Sequence, residues 1–130
     1  MELDDSFIKD FSQFKDMDIN GIVIQEDYGC TFHFCAGIVM TILDNGQSCC
    51  EKRTMTCDDE MIQFEGSKLT GVELLQCISA KSDQFGDEHD CCFLRIDTTK
   101  GSFRLCMHNE HNGYYGGFNP SITMEFRSIK

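Results

Sequence analysis

The sequence predicts a strand-dominated α+β domain, in which a short N-terminal helix precedes an antiparallel curved sheet, sandwich or small barrel. Apolar residues alternate with more polar ones over Thr31–Asp44, which is the period of a half-buried strand. Tight-turn signals such as Asn45-Gly46 and Lys100-Gly101 separate short apolar runs and indicate hairpins. The sequence lacks the alternation of strands and long helices that is typical of a parallel sheet.

The chain has the size of one domain. Its 130 residues are close to the commonest domain length, and one core of ordinary size fits its apolar content. We therefore predict a single domain over 1–130, with the helix and its lead-in at 1–20 and the antiparallel β core at 21–127.

The helix is predicted from a stripe of phenylalanines. Phe7, Phe11 and Phe14 recur at the spacing of one helix face. Asp5 or Ser6 stands before them and is a suitable N-cap. An apolar stripe needs a surface to pack on, so we expect these side chains to face the core.

Two strands are predicted next. The first covers Ile22–Glu26, and Asp27-Tyr28-Gly29 is a turn. The second is the alternating stretch Thr31–Asp44, which we predict as one strand with a bend or bulge at Gly37. Its apolar positions are Phe32, Phe34, Ala36, Ile38, Met40 and Ile42.

Asp44-Asn45-Gly46 is a strong hairpin signal, because Asn-Gly accepts positive φ at both central positions of a tight turn. The return strand is predicted from Ser48 to about Cys57. Asp58-Asp59-Glu60 then forms a cap and acidic first turn, which opens a short helix or loop that reaches Phe64.

A further strand is predicted over Val72–Ala80. Val72, Leu74 and Ile78 fall on one of its faces. The polar segment Lys81–Asp90 that follows contains a glycine and is predicted as an exposed loop.

The C-terminal part predicts a hairpin and a last strand. Thr99-Lys100-Gly101 is a short turn between strands at Cys91–Thr98 and Ser102–His108. The segment Asn109–Asn119 is rich in Gly, Asn and Tyr and is predicted as a loop. Alternation over Ile122–Phe126 predicts the last strand.

Charge and composition narrow the class of partner. Eleven Lys and Arg against 22 Asp and Glu give a net charge of −11, which repels phosphate backbones and predicts no direct nucleic-acid binding. The sequence has no run of about 18 apolar residues, which a membrane-spanning helix would need. The acidic start Met1–Asp5 lacks the apolar segment of a secretory signal, so we expect a cytoplasmic protein.

The nine cysteines are predicted to be reduced. Their number is odd, no export signal is visible, and a chain of this length can form a core without cross-links. The vicinal pairs Cys49-Cys50 and Cys91-Cys92 lie on predicted strands, so each pair places one thiol inward and one outward.

Three motifs follow one another in the sequence. They are Asp44-Asn45-Gly46 followed by Cys49-Cys50-Glu51, then Thr98-Thr99-Lys100-Gly101, then Asn112-Gly113-Tyr114-Tyr115-Gly116. In this order the chain resembles a family of small uncharacterised proteins of phages and prophages, over roughly Gly21–Glu125. The resemblance implies a phage origin and action in the cytoplasm of an infected bacterial host. It assigns no chemistry to any residue.

The tyrosine loop and the acidic clusters are the predicted partner-binding surface. Tyrosines and glycines in one loop give rigid contact area on an adaptable backbone. Acidic residues oppose a basic surface if the fold brings them to one face, and otherwise form a dispersed solvated surface. The predicted residues are Asn112, Tyr114, Tyr115, Asp58, Asp59, Glu60, Asp87, Glu88 and Asp90.

One set of residues has the chemistry of a metal site. Cys106 and His108 are two apart on a predicted strand and share a face, and His111 follows in the loop. A thiolate with two imidazoles suits zinc, and a fourth ligand would come from His89 or another cysteine. The chain has no Cys-x-x-Cys pair, so ordinary buried cysteines and surface histidines are the expectation, with no cofactor.

No phosphate-binding loop, nucleophile elbow or His-Glu-x-x-His motif occurs, so we predict a non-enzymatic protein. The main hypothesis is a small acidic phage-type protein that binds a host protein, such as a basic nuclease or nucleoprotein complex of a defence system, and blocks it in an anti-CRISPR-like manner. The first alternative is a zinc-binding or redox-responsive accessory protein. The second is a phage structural or assembly factor that forms a homodimer through the Phe helix or an edge strand.

Overall fold

The structure, a computed structural model, describes residues 2–45, 51–82, 87–111 and 117–127, with the side chains of 80–82 and 87 left aside. In this part of the chain a helix, α1 (Asp5–Ser12), precedes eight strands, and short 3₁₀ turns lie at Cys35–Gly37 and Met61–Phe64. The strands are β1 (Ile19–Gln25), β2 (Gly29–Phe34), β3 (Ile38–Asp44), β4 (Glu51–Thr56), β5 (Leu69–Ser82), β6 (Asp87–Thr98), β7 (Gly101–His111) and β8 (Pro120–Phe126).

The strands form two antiparallel sheets that are not closed into a barrel. Sheet 1 has the order β1-β2-β3-β8, and sheet 2 has the order β4-β7-β6-β5. The strand-dominated α+β prediction is therefore confirmed, and of its alternatives the sandwich is the one observed. None of the described helices has the length and apolar character that crossing a membrane requires.

Helix α1 packs as predicted, with a different cap. Asp4 is the N-cap, because its Oδ1 accepts a hydrogen bond of 2.8 Å from the backbone N–H of Phe7. Phe7, Phe11 and Phe14 are only 2%, 1% and 2% exposed. The phenylalanine stripe is thus used in the core, so a homodimer formed through it is not supported.

The alternating stretch Thr31–Asp44 is two strands, and the prediction of one continuous strand is wrong. A 3₁₀ turn at Cys35–Gly37 folds the segment back on itself, so that β2 pairs with β3. Phe32 pairs with Met40, and even positions therefore lie opposite even positions, which keeps the alternation in phase across the turn. Ala36, with a φ of 68°, is in the exposed turn and not in the core.

Strand β4 does not return along β3, and the predicted hairpin between them is wrong. β3 lies between β2 and β8 in sheet 1, whereas β4 is an edge of sheet 2 and pairs with β7. The chain therefore passes from one sheet to the other after Asn45. Residues 46–50, which include the last residue of the predicted turn and the first vicinal cysteine pair, lie outside the described residues.

The polar segment Lys81–Asp90 is largely strand, and the prediction of a loop there is wrong. β5 continues to Ser82 and β6 begins at Asp87. Pairing between the two long antiparallel strands overrides the local polarity, because the ladder satisfies backbone N–H and C=O groups whatever the side chains are. The next hairpin is confirmed, with Thr98 opposite Gly101 at its turn.

An irregularity in β5 changes which of its side chains face inward. The register shifts between Leu74 and Cys77, so Ile78 faces away from the core and its predicted place beside Leu74 is wrong.

The shift aligns Cys77 with Cys92, and these two residues form a disulfide. The prediction that all cysteines are reduced is therefore wrong for this pair. The inward and outward alternation of Cys91 and Cys92 is confirmed, since Cys92 is 0% exposed.

The inner faces of the two sheets share one hydrophobic core. Phe32 of sheet 1 stacks on Phe103 of sheet 2 with ring centroids 6.2 Å apart, and Phe103 contacts Phe64 at 4.8 Å. The core lies between the two sheets. The opposite face of sheet 2, here called its outer face, points away from this core, so its side chains are available for other interactions.

Candidate metal centre

Four sulfur- and nitrogen-bearing side chains meet on the outer face of sheet 2. His89 and Cys91 lie on β6, Cys106 and His108 lie on β7, and the register places Cys91 directly opposite His108. Residues two apart on a strand share a face, so all four side chains lie on the same side of the hairpin. Because Cys92 faces the core, that side is the outer one. We call this set the Cys–His cluster.

The distances within the Cys–His cluster suit a tetrahedral metal ion. His89 Nε2 is 3.0 Å from His108 Nδ1, and Cys91 Sγ is 3.5 Å and 3.4 Å from these two nitrogens. Cys106 Sγ is 4.0 Å from His108 Nδ1. Zinc bonds of about 2.0–2.3 Å in a tetrahedron place neighbouring ligand atoms about 3.3–3.8 Å apart. His89, Cys91 and His108 therefore already stand close to such an arrangement, whereas Cys106 lies outside the set whose ligand atoms are all within 4.8 Å of one another and would have to move inward to become the fourth ligand.

The ring of His108 is held in the orientation that a metal ligand needs. Its Nε2 is 2.8 Å from the hydroxyl oxygen of Thr56 on β4, which leaves Nδ1 toward the cluster. Metal-binding histidines usually have their second nitrogen hydrogen-bonded in this way. Burial, followed by the nearby His89, lowers the pKa of His108, so the neutral ring that binds metals predominates at neutral pH.

The thiol environment favours metal binding over nucleophilic catalysis. Burial, and then the proximity of Cys91, raise the pKa of Cys106 to about 12. A nucleophilic cysteine needs a lowered pKa, which this surrounding does not provide. A bound divalent ion supplies positive charge and deprotonates a coordinating thiol.

Acidic side chains surround the cluster. Glu110 and Glu26 act on His108 and oppose the lowering of its pKa, and the charge of Asp58 contributes to the raised pKa of Cys106. Asp58 and Asp59 line a cavity of about 450 Å³ that also reaches Cys106. Negative potential around a cleft raises the local concentration of cations, so the surroundings favour metal capture.

The sequence found part of this cluster. Cys106 and His108 do share a face, and His89 joins them as the anticipated additional ligand. His111 is not part of it, because β7 continues to this residue and turns its side chain inward, where Nε2 lies 2.8 Å from Asp90 Oδ2. Of the candidate set Cys106, His108 and His111, the structure therefore brings the first two together and places His111 on the other face of the hairpin.

Cys91 was missed as a ligand, although the sequence contained the information. The turn at Thr99-Lys100 pairs Thr98 with Gly101, and that register places Cys91 opposite His108. Extending the predicted hairpin residue by residue would have found the contact.

The structure describes only some of the predicted partner-binding residues. Asp58, Asp59 and Glu60 are exposed after β4, as expected for a contact surface. The side chains of Glu88 and Asp90 are 22% and 15% exposed and belong to strand β6, not to an exposed loop. The backbone of Asp87 begins β6. The loop residues Asn112, Tyr114 and Tyr115 lie outside the described part of the chain.

Comparison with known proteins relates the chain to a family without a described function. A family model described as a domain of unknown function (DUF7448) matches residues 9–118, which include β1 to β7 and the whole Cys–His cluster. No curated protein matches the chain. No solved structure matches it.

Proposed function

The chain belongs to the DUF7448 family, whose description names no function, and we propose, from the side chains on the outer face of sheet 2, that it is a zinc-binding accessory protein. The proposal rests on one observation, the convergence of His89, Cys91, Cys106 and His108. Two thiolates and two imidazoles form a ligand set that structural zinc sites use.

The position of the cluster indicates what zinc would do. Both sheets contribute to one core that contains none of the four ligands, so the fold does not depend on the metal in the way that a zinc finger does. A zinc ion on the outer face would instead link β6 to β7 and hold Thr56 of β4 through His108. Its expected role is to keep the outer face of sheet 2 in one shape for a binding partner.

Metal content tests the proposal directly. Protein purified under reducing conditions without chelator is expected to carry about one zinc per chain by elemental analysis. Replacement of zinc by Co²⁺ is expected to give the visible absorption of a tetrahedral site with thiolate ligands. Cys91→Ser and Cys106→Ser should each abolish that absorption. Cys35→Ser, at an exposed cysteine in the 3₁₀ turn, is the matched control and should leave it unchanged.

A variant outside the ligand set sharpens the test. Thr56→Val removes the hydroxyl that holds His108 and is expected to weaken zinc binding about 10–100-fold, as loss of a hydrogen bond to a ligand does. Wild-type protein with no bound zinc and no thiolate absorption in the cobalt form would contradict the proposed function.

The exposed acidic segment Asp58-Asp59-Glu60 favours a second candidate function. It lies near the Cys–His cluster in a chain with a net charge of −11, and such a surface suits a basic partner. We propose as the alternative that the protein is a phage-encoded inhibitor, which occupies a basic nuclease or nucleoprotein complex in the bacterial cytoplasm. The phage origin in this proposal is the one that the sequence resemblance implies.

Binding of a purified basic nuclease complex, measured at increasing salt concentration, tests the alternative. Affinity should fall as salt rises, because exposed charges are screened. Replacement of Asp58 and Asp59 by Asn should weaken binding and reduce its dependence on salt. Salt-independent binding would remove the electrostatic mechanism, and no binding at low salt would remove the inhibitor proposal for that nuclease.

A further inference from the structure

A second cluster lies on the inner face of the same β6–β7 hairpin. His111 Nε2 is 2.8 Å from Asp90 Oδ2 and 3.6 Å from Glu88 Oε2. The register places Glu88 opposite His111 and Asp90 opposite Asn109. These four residues, here called the carboxylate–histidine cluster, are on the side of the hairpin opposite to the Cys–His cluster and share none of its members.

Asn109 supplies an independent observation. The residue is 0% exposed, and its Nδ2 donates a hydrogen bond of 3.2 Å to the carbonyl oxygen of Gly117. That bond identifies the other amide atom as the oxygen. Oδ1 is buried and finds no hydrogen-bond partner among the described residues. A buried carbonyl oxygen without a donor is unfavourable, and a cation is one group that satisfies it.

A network of ion pairs lies next to the cluster. Arg53 donates 2.9 Å hydrogen bonds to Glu51 and to both oxygens of Asp44, and all three side chains are less than a tenth exposed. Glu51 is also the partner of His111 on β4, so this ion pair borders the cluster. Glu88 and Asp90 add two part-buried carboxylates beside His111. Part-buried charges need compensation, which a divalent cation provides.

The cluster has an opening to the surface. Asp90 borders a cavity of about 250 Å³ that is also lined by Ser79, Gly117 and Phe118. The hydroxyl of Ser79 donates a hydrogen bond of 2.5 Å to Asp90 Oδ1, which leaves Oδ2 on the side of His111. A cation and its remaining water ligands therefore have a path to the carboxylate.

We propose that Glu88, Asp90, His111 and the side-chain oxygen of Asn109 bind one divalent cation of the Mn²⁺ class. Carboxylate and amide oxygens suit Mg²⁺, Ca²⁺ and Mn²⁺, whereas imidazole suits transition metals, and Mn²⁺ accepts both ligand types. Adjacent ligands of an octahedral ion with bonds of about 2.1 Å lie about 3.0 Å apart. The distance from His111 Nε2 to Asp90 Oδ2, 2.8 Å, is slightly below that value, and the distance to Glu88 Oε2, 3.6 Å, is above it.

This site is independent of the proposed zinc function, and the test keeps the two apart. Protein that carries one equivalent of Zn²⁺, with unbound zinc removed, is titrated with Mn²⁺, and free Mn²⁺ is measured by electron paramagnetic resonance. We expect one bound Mn²⁺ per chain and a rise in the thermal unfolding midpoint. The double variant C91S/C106S should bind Mn²⁺ as the wild type does, even if it has lost zinc.

Matched variants locate the site. Asp90→Asn and His111→Gln should each weaken Mn²⁺ binding at least tenfold, while Asn109→Asp, which keeps an oxygen and adds charge, should retain it. Glu125→Gln, an exposed position on β8 of sheet 1, removes the same charge as Asp90→Asn and should have no effect. The proposal is overturned if Mn²⁺ stays free in the presence of the zinc-loaded wild type, or if Glu125→Gln weakens binding as much as Asp90→Asn.

Discussion

Gly29 shows how tightly β2 and β3 approach each other. A Cβ atom at this position would collide with the backbone carbonyl oxygen of Ile42 on β3. Backbone atoms in the middle of a sheet cannot move aside as a flexible side chain can. The glycine is therefore required by the space available, whatever the conformational preference of the turn before it.

Gly29→Ala is expected to lower the free energy of unfolding by about 1–3 kcal/mol, the range for overpacking a well-filled interior. Urea denaturation measures the change. Gly21→Ala on the neighbouring strand is the control, because its nearest atom would be Glu65 Oε1 at 3.9 Å, and a change within about 0.5 kcal/mol is expected. Equal losses in both variants would show that the carbonyl of Ile42 is not the cause.

Also at the scale of residues, the face of the strand on which a side chain lies decided which site residues could be identified from the sequence. Cys106 and His108 were found because they are two apart, and their strand was correctly predicted up to His108. His111 was misplaced because the strand runs three residues further, which puts it in phase with Asn109 and not with His108. The candidate metal ligands could be chosen from their residue types. The face of the sheet on which each side chain lies could be known only once the true end of the strand was known.

At the scale of elements, the disulfide between Cys77 and Cys92 ties β5 to β6 next to the irregularity in β5. The irregularity is what makes the two residues direct partners. Cys91, the adjacent residue, turns to the opposite face and belongs to the Cys–His cluster. One dipeptide thus supplies a covalent cross-link on the inner face and a candidate metal ligand on the outer face.

Cys77→Ser should lower the free energy of unfolding by up to about 3 kcal/mol, the value for a closed loop of about 15 residues. Chemical denaturation without reductant measures it. Reductant should destabilise the wild type by a similar amount and leave Cys77→Ser unchanged. Alkylation of the denatured, unreduced protein offers a separate check, since labelling of Cys77 in the wild type would contradict the cross-link.

Elements were predictable where one local signal fixed them. The β6–β7 hairpin and the N-terminal helix were confirmed, because a two-residue turn and a phenylalanine stripe act over short distances. The Asn45-Gly46 signal failed as a guide to pairing, because the segment after it joins the other sheet. The turn at Cys35–Gly37 was hidden, since the alternation of apolar residues continues in phase through it.

At the scale of the whole molecule, the stability of the sandwich depends on contacts between its sheets. Phe103 of β7 packs on Phe32 of β2 and on Phe64 of the 3₁₀ turn, and is 1% exposed. The side chain therefore joins both sheets and the connection after β4. No sequence pattern identified this contact, because it depends on how two sheets face each other.

Phe103→Ala is expected to cost about 3–5 kcal/mol, the range for removing a buried aromatic side chain. Thermal and urea unfolding measure it. Ile62→Ala, at a side chain that is 70% exposed, should change stability by no more than about 0.5 kcal/mol. Because one core should unfold in one transition, two separate transitions in Phe103→Ala would show that each sheet is stable alone.

The pairing of β8 with β3 has a consequence for synthesis on the ribosome. Ile38 lies opposite Phe126, and Asp44 lies opposite Pro120, so β3 receives its second neighbour from β8, which is translated after β1 to β7. A nascent chain that already carries β1 to β7 still presents the bare edge of β3 to other polypeptides. Chaperone demand should therefore be greatest in the interval between translation of β3 and release of β8.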